Sequence, residues 1–323
     1  MNFSTLLESQ EKVVKILKNS LEKDRLVSIY LFEGAKGTLK REAAFYFASL
    51  VMCEGKNKPC YECLSCKRIA NGKHPRIYEI NKNSKGNIGK GQIDDLEHEF
   101  SMVGLEEGPR VFIINEVEAL TTEAANRLLK FLEETKEGTY GILIAENLGQ
   151  VISTIKSRSQ VITFQKIPNE INTKIYIDKG INEEIAKILP LITNNTDEGL
   201  ELINEGKIID VVELVKKINF ALLYSEKDPL ITFYENAKFL LSEKDKKYHT
   251  IFLDLLAIIT NDRIYRKLNQ NDQIVFTSIE LDDNQEIEQT FYQVEKILEY
   301  KQRVKYNINI ELMYVEMFIE IER

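Results

Sequence analysis

Between Arg25 and Phe164 short apolar runs alternate with longer amphipathic stretches, and few folds accommodate that alternation. The runs are Ser28–Phe32, Ile77–Ile80, Val111–Asn115, Gly141–Ala145 and Gln160–Phe164. Strands separated by helical segments predict an α/β domain with a five-stranded parallel sheet and helices on its faces. Two of the intervening helices show the expected spacing i, i+3, i+4, i+7: Ala44, Phe47, Ala48 and Val51 on one, Ala125, Leu128, Leu129 and Leu132 on the other. Each should bury one stripe. Thr121 or Thr122, with Glu123 just inside, is placed to cap the free amides of the second helix.

After Pro168 the β-branched runs give way to charged amphipathic stretches with few glycines, which predicts helices to the C-terminus. The expected organisation is an α/β domain over 1–167, a small helical domain over 168–206 and a larger all-helical domain over 207–323. Within the last, Ile209–Tyr224, Lys247–Asn269 and Ile287–Tyr306 should form a bundle. There is no repeat of solenoid type.

The four cysteines all fall within one short stretch, as Cys53-x6-Cys60-x2-Cys63-x2-Cys66. Two C-x2-C steps bring thiolates into the tetrahedral reach of Zn²⁺, and four thiolates leave no open position for water, so the ion expected here is structural. Gly55 and Pro59 suit the tight turns required. Buried or redox-active cysteines are the alternative, and His74 is a possible substitute ligand whose ordinary role would be that of a loop histidine.

Gly34-Ala35-Lys36-Gly37-Thr38-Leu39-Lys40-Arg41 follows a predicted strand and opens a helix, as a phosphate loop does. In the pattern G-x-x-x-x-G-K-[ST] the glycines let backbone amides cradle phosphates, the lysine reaches the β and γ oxygens and the hydroxyl binds Mg²⁺. Gly34, Gly37 and Lys40 remain to line a phosphate, but Leu39 stands where the second glycine belongs and Arg41 where the hydroxyl does. At the end of a later strand Asn115 stands where a metal-holding aspartate is expected, followed by Glu116. Two losses at positions that share one metal ion predict a chain that neither binds nor hydrolyses ATP usefully. The alternative is a strand–turn–helix connection never meant for nucleotide.

A balance of 43% hydrophobic and 29% charged residues with only six prolines is that of an ordered globular protein. A formal net charge of -8 argues against a general nucleic-acid coat, so any DNA contact would need a local basic patch or partner subunits. Glu8, Glu11 and Lys12 interrupt the place of a signal peptide, and Ile251–Thr260 carries Asp254 and falls short of the roughly 20 residues of a membrane span. A cytoplasmic protein without a membrane anchor is expected. Asn194-Asn195-Thr196 fits a glycosylation sequon that export would be needed to use.

In order, the chain presents a degenerate loop, a four-cysteine insert, His74-Pro75, Asn115-Glu116, the run from Ala124 to Glu134 (AANRLLKFLEE) and Ser157-Arg158-Ser159. This set resembles the bacterial DNA polymerase III clamp-loader family, and the defective loop looks like its delta-prime branch rather than the gamma/tau branch. The resemblance implies an AAA+ module, a helical lid and a C-terminal helical collar within a pentameric ring. It implies no ATPase activity of the chain's own, partners of the gamma/tau and delta types, and a sliding clamp and primer-template DNA met through the assembled complex. It also implies that Arg158 acts as an arginine finger on the neighbouring subunit's nucleotide; the competing role is that of a helix-end residue neutralising carbonyls.

Departures from the family pattern are Ser159 for the usual cysteine, Thr135-Lys136 for the usual proline pair, and a lid segment Asn194–Leu200 without a sensor arginine. Asn147 sits where a first sensor would, a position equally suited to a turn former. Two other readings stay open: a gamma-type ATPase tolerating a divergent loop, supported by Lys40, and a zinc-dependent DNA-binding module.

Overall fold

The computed structural model describes residues 3–101, 108–224, 227–243, 245–279, 285–306 and 308–322. It divides into two compact units, Met1–Ile171 and Asn172–Arg323. In the first, helices α1 (Ser4–Ser9) and α2 (Glu11–Glu22) precede β1 (Ile29–Glu33), α3 (Lys40–Met52), α4 (Leu64–Ala70) and β2 (Ile77–Ile80). Then come α5 (Lys90–Ser101), β3 (Arg110–Ile114), α6 (Thr122–Glu133), β4 (Thr139–Ala145), α7 (Ser153–Lys156) and β5 (Gln160–Thr163). All five expected strands are present within two residues of their expected limits.

They form one parallel sheet in the order β2-β3-β4-β1-β5. Side chains alternate across it. Tyr30 and Phe32 point into a core with α1, α2 and α3, while Ile29 and Leu31 point into the opposite core with α5, α6 and α7. Thr121 caps α6, its hydroxyl accepting from Ala124 N at 3.2 Å. The stripe expected on α6 is present, but α3 is buried from Ala43 to Met52 without interruption. The difference has a physical cause: the sheet covers one side of α3, and α2 and α4 pack on others, which helical periodicity alone does not register.

The second unit is helical, as expected. α8 (Asn169–Asp178) spans the boundary, followed by α9 (Glu183–Ile192), α10 (Thr196–Asn204), α11 (Lys207–Leu223), α12 (Pro229–Asn236), α13 (Lys238–Leu241), α14 (Lys246–Lys267), α15 (Ile287–Arg303) and α16 (Ile310–Ile321). One core joins Val215, Phe233, Phe252, Ile297 and Phe318, and it also takes in Ile188 of α9 and Leu202 of α10. A smaller cluster of Tyr176, Ala186 and Leu189 lies among the first helices. Among the described residues no helix is long and apolar enough to cross a membrane.

One sheet position sets a sharp packing limit. Phe112 lies opposite Gly141 in the β3–β4 register, and a Cβ at Gly141 would stand 2.1 Å from Phe112 Cζ. The Phe112 ring is fully buried and meets Phe100 and Phe131 edge to face at 5.8 and 5.4 Å, so it has nowhere to move. Gly141→Ala should therefore destabilise the protein by about 1–3 kcal/mol, read as a lower urea midpoint at unchanged m-value.

Candidate functional site

In a parallel sheet the strand carboxyl ends share one edge, and ligands bind beside it. Here β1 delivers the phosphate-loop segment to that edge, β2 delivers Asn81 and Lys82, β3 delivers Asn115 and Glu116, and β4 delivers Glu146 and Asn147. Two positions of this loop have special backbone geometry. Gly34 has φ 156°, and a Cβ there would meet the Phe164 carbonyl at 2.8 Å. Leu39 takes the left-handed φ of 65° that a glycine adopts freely, and a Cβ in that region costs about 1–2 kcal/mol. Leu39 is tolerated because its side chain packs against the core around α3.

The lysine of the loop is turned inward. Lys40 Nζ donates to the carbonyls of Gly34 at 2.5 Å and Ala35 at 2.7 Å and to Thr38 Oγ1 at 3.3 Å, which engages all three of its donors. Burial lowers its pKa against the opposing pull of Glu146 and Glu118. From outside, Gln10 Nε2 donates to Thr38 O at 3.3 Å and Gln165 O at 2.6 Å, tying the loop to the start of α2 and the exit of β5.

The two substituted positions converge on one carboxylate. Arg41 grips Glu79 of β2 with Nε at 2.5 Å and Nη2 at 2.7 Å, and Asn115 Nδ2 donates to the same carboxylate at 2.7 Å and to Asn81 Oδ1 at 2.8 Å. Burial by itself would raise the Glu79 pKa, but the hydrogen bonds from Arg41 and Asn115 and the guanidinium charge outweigh it and hold the carboxyl below its ordinary value. The Arg41 guanidinium also lies 4.9 Å from the Phe45 ring. Arg41 and Asn115 are thus joined through one internal carboxylate. Glu116, with a left-handed φ of 53°, is ion-paired to Lys82, and Asn147 Oδ1 accepts from Gly149 N at 2.8 Å, the turn-forming role.

Arg158 follows α7 on the surface of the same unit. Its Nη2 donates to Glu133 Oε1 at 2.7 Å and its Nη1 to the Thr154 carbonyl at 3.3 Å. The side chain is 42% exposed. The helix-end interaction is therefore present, and the guanidinium also remains open to solvent.

Cys53, Cys60, Cys63 and Cys66 come together, with their Sγ atoms all within 4.8 Å of one another. A tetrahedron with Zn–S bonds of about 2.3 Å has S–S edges of about 3.8 Å, so the donor set suits a metal ion with modest closure. Backbone amides already point at the sulfurs: Gly55 N and Cys60 N lie 3.3 Å from Cys53 Sγ, Cys63 N lies 3.3 Å from Cys60 Sγ, and Cys66 N lies 3.4 Å from Cys63 Sγ. Such hydrogen bonds favour thiolate, and those from Cys63 and Glu62 bring Cys60 down to about 6, whereas burial pushes Cys53 and Cys66 up. A divalent cation would be the charge that holds all four as thiolates. Gly55 is needed for a reason beyond turning, because a Cβ there would lie 2.7 Å from Cys60 Cβ. His74 is buried outside the cluster, its Nδ1 accepting from Arg76 N at 3.2 Å.

Glu79, Asn81, Lys82 and Gln10 were not legible as site residues. Their partners lie 28 or more residues away or on a neighbouring strand, and only strand order brings them together. The left-handed Leu39 makes a distinctive expectation. Leu39→Gly should be more stable than Leu39→Ala by about 1 kcal/mol in chemical denaturation, because only glycine takes the left-handed φ without the cost of a Cβ.

Comparison with known proteins accords with this geometry. The family described as DNA polymerase III, delta subunit matches residues 9–168. The DNA polymerase III subunit delta' of Bacillus subtilis (strain 168) is 34% identical over 318 residues, covering 96% of this chain and 95% of its own length. The subunit delta' of Haemophilus influenzae is 28% identical over 228 residues, covering 68% of this chain and 65% of its own. The B. subtilis subunit tau is 37% identical over 163 residues, but these cover 50% of this chain and 29% of tau. On an alignment that spans nearly the whole of both chains, this protein belongs to the family of DNA polymerase III delta-prime subunits.

Proposed function

We propose that this chain is a non-hydrolysing subunit of a cytoplasmic DNA polymerase III clamp loader, working with gamma/tau-type and delta-type subunits. It would meet the sliding clamp and primer-template DNA through the assembled complex. The observation that carries the reading is the bidentate Arg41–Glu79 pair with Asn115 on the same carboxylate. To hold Mg²⁺ at that edge, the chain would need to break a charge-assisted pair and then place the cation beside a guanidinium. Lys40 would likewise have to leave two loop carbonyls before reaching a phosphate. The segments 168–206 and 207–323 are assigned as lid and collar within the helical unit.

The chain's contribution to catalysis is made in trans. Arg158 is exposed and rigidly based between α7 and β5, so a neighbour's nucleotide would meet a fixed guanidinium able to stabilise charge on the transferring phosphate. Arg158→Ala should leave assembly intact and lower DNA-stimulated ATP turnover at the one site it serves by at least about tenfold, seen as a partial loss in the reconstituted complex. Unchanged turnover would remove the finger assignment. The retained Lys40 favours a second reading, a gamma-type ATPase. Titration of the isolated chain with Mg-ATP separates the two, since micromolar affinity supports the enzyme and no saturation at millimolar ATP supports the scaffold.

The metal assigned to the cysteine cluster is Zn²⁺, held by Cys53, Cys60, Cys63 and Cys66 in a structural role. Purified protein should contain about one equivalent of zinc, and Gly55→Ala, which forces Cys60 aside, should retain well under half of it by elemental analysis.

A further inference from the structure

The cysteine cluster knits together a basic stretch of an acidic chain. Residues 53–76 carry Lys56, Lys58, Lys67, Arg68, Lys73 and Arg76 against only Glu54 and Glu62, in a protein of net charge -8. Four thiolates around a divalent cation would leave two negative charges, and the balance would still be positive. Lys56, Lys58, Lys67 and Lys73 are exposed. Among the described residues none of the four has an ion-pair partner, whereas Arg68 and Arg76 are engaged.

An exposed aromatic side chain lies in the same stretch of chain. Tyr61 is 50% exposed and holds a left-handed φ of 60°, a conformation uncommon for a bulky residue. Its ring is supported from behind by Phe3, with centroids 6.4 Å apart, and Leu64 beside it is 60% exposed. Because the four sulfurs lie together, the loop bearing Lys56, Lys58 and Tyr61 is tied to α4, which bears Leu64 and Lys67.

Lysines alone would suit any acidic surface, and an exposed tyrosine and leucine alone would suit an apolar one. Exposed cations on the same short module as a supported aromatic ring are the combination that binds single-stranded nucleic acid, where lysines neutralise the backbone and a base stacks on the ring. We propose that the cysteine module, residues 53–76, is a single-stranded DNA contact site, with Lys56, Lys58, Lys67 and Lys73 facing phosphates and Tyr61 stacking on a base. This is independent of whether the phosphate loop binds ATP.

The test uses the full-length zinc-loaded chain and a fluorescein-labelled oligothymidine, followed by anisotropy. Binding should appear at about 50 mM salt and weaken with a log–log slope near about -3, as expected for four phosphate contacts on a single strand. Changing all four lysines to glutamine should lower affinity at least tenfold and flatten the slope. Tyr61→Ala should weaken binding about tenfold at unchanged slope, and Tyr61→Phe should restore it. All these positions are exposed, and zinc content with circular dichroism equal to the parent confirms that each variant is folded. No binding at about 100 μM protein in about 50 mM salt, or a quadruple variant that binds as the parent does, overturns the proposal. Displacement by polyglutamate as effective as by unlabelled oligonucleotide, with Tyr61→Ala indifferent, would assign the patch to an acidic protein surface and also overturn it.

Discussion

A parallel sheet covered on both faces governs the first unit. Strands β1 to β4 must satisfy two cores at once, one beneath α1, α2 and α3 and one beneath α5, α6 and α7, so neither register nor order is free to slip without moving apolar side chains to the wrong face. That constraint holds five strand ends along one edge. The loop, Glu79, Asn115 and Glu116 meet because the hydrophobic alternation inside the sheet leaves them no other place.

At that edge the chemistry is internal. A nucleotide-binding relative would leave a cradle of amides and a carboxylate for ligands from outside, whereas here Lys40 is satisfied by loop carbonyls and Glu79 by Arg41 and Asn115. The pair is half exposed, so its contribution to stability is modest, on the order of 0–1 kcal/mol. Its greater consequence is positional, because it fixes one guanidinium and one carboxylate at the carboxyl edge of the sheet. The cysteine cluster follows a different principle: amides and sulfurs preset a compact donor set on a short piece of chain.

Much of this was legible beforehand. The five strands, the capped α6 and the long helices of the second unit followed from apolar spacing and punctuation by Gly, Pro and Thr, which are local signals. The cysteine cluster was equally local, since its spacing restricts geometry within a few residues. Single-stripe burial of α3 was the expectation that the structure corrected, because α2 and α4 cover faces whose polarity gives no warning. Asn147 resolved toward its turn-forming role.

What the sequence by itself determined is the presence of Arg41 and Asn115 at two positions of the loop-and-strand pattern, and of a thiol set suited to a metal. What only the tertiary structure decided is which groups those two side chains meet. Arg41 and Glu79 are 38 residues apart and on different elements, so their bidentate contact exists only once β2 is placed beside β3. The left-handed Leu39 likewise became explicable only when its packing was seen. Local patterns encode backbone preference, but charge partners are chosen by neighbours in space.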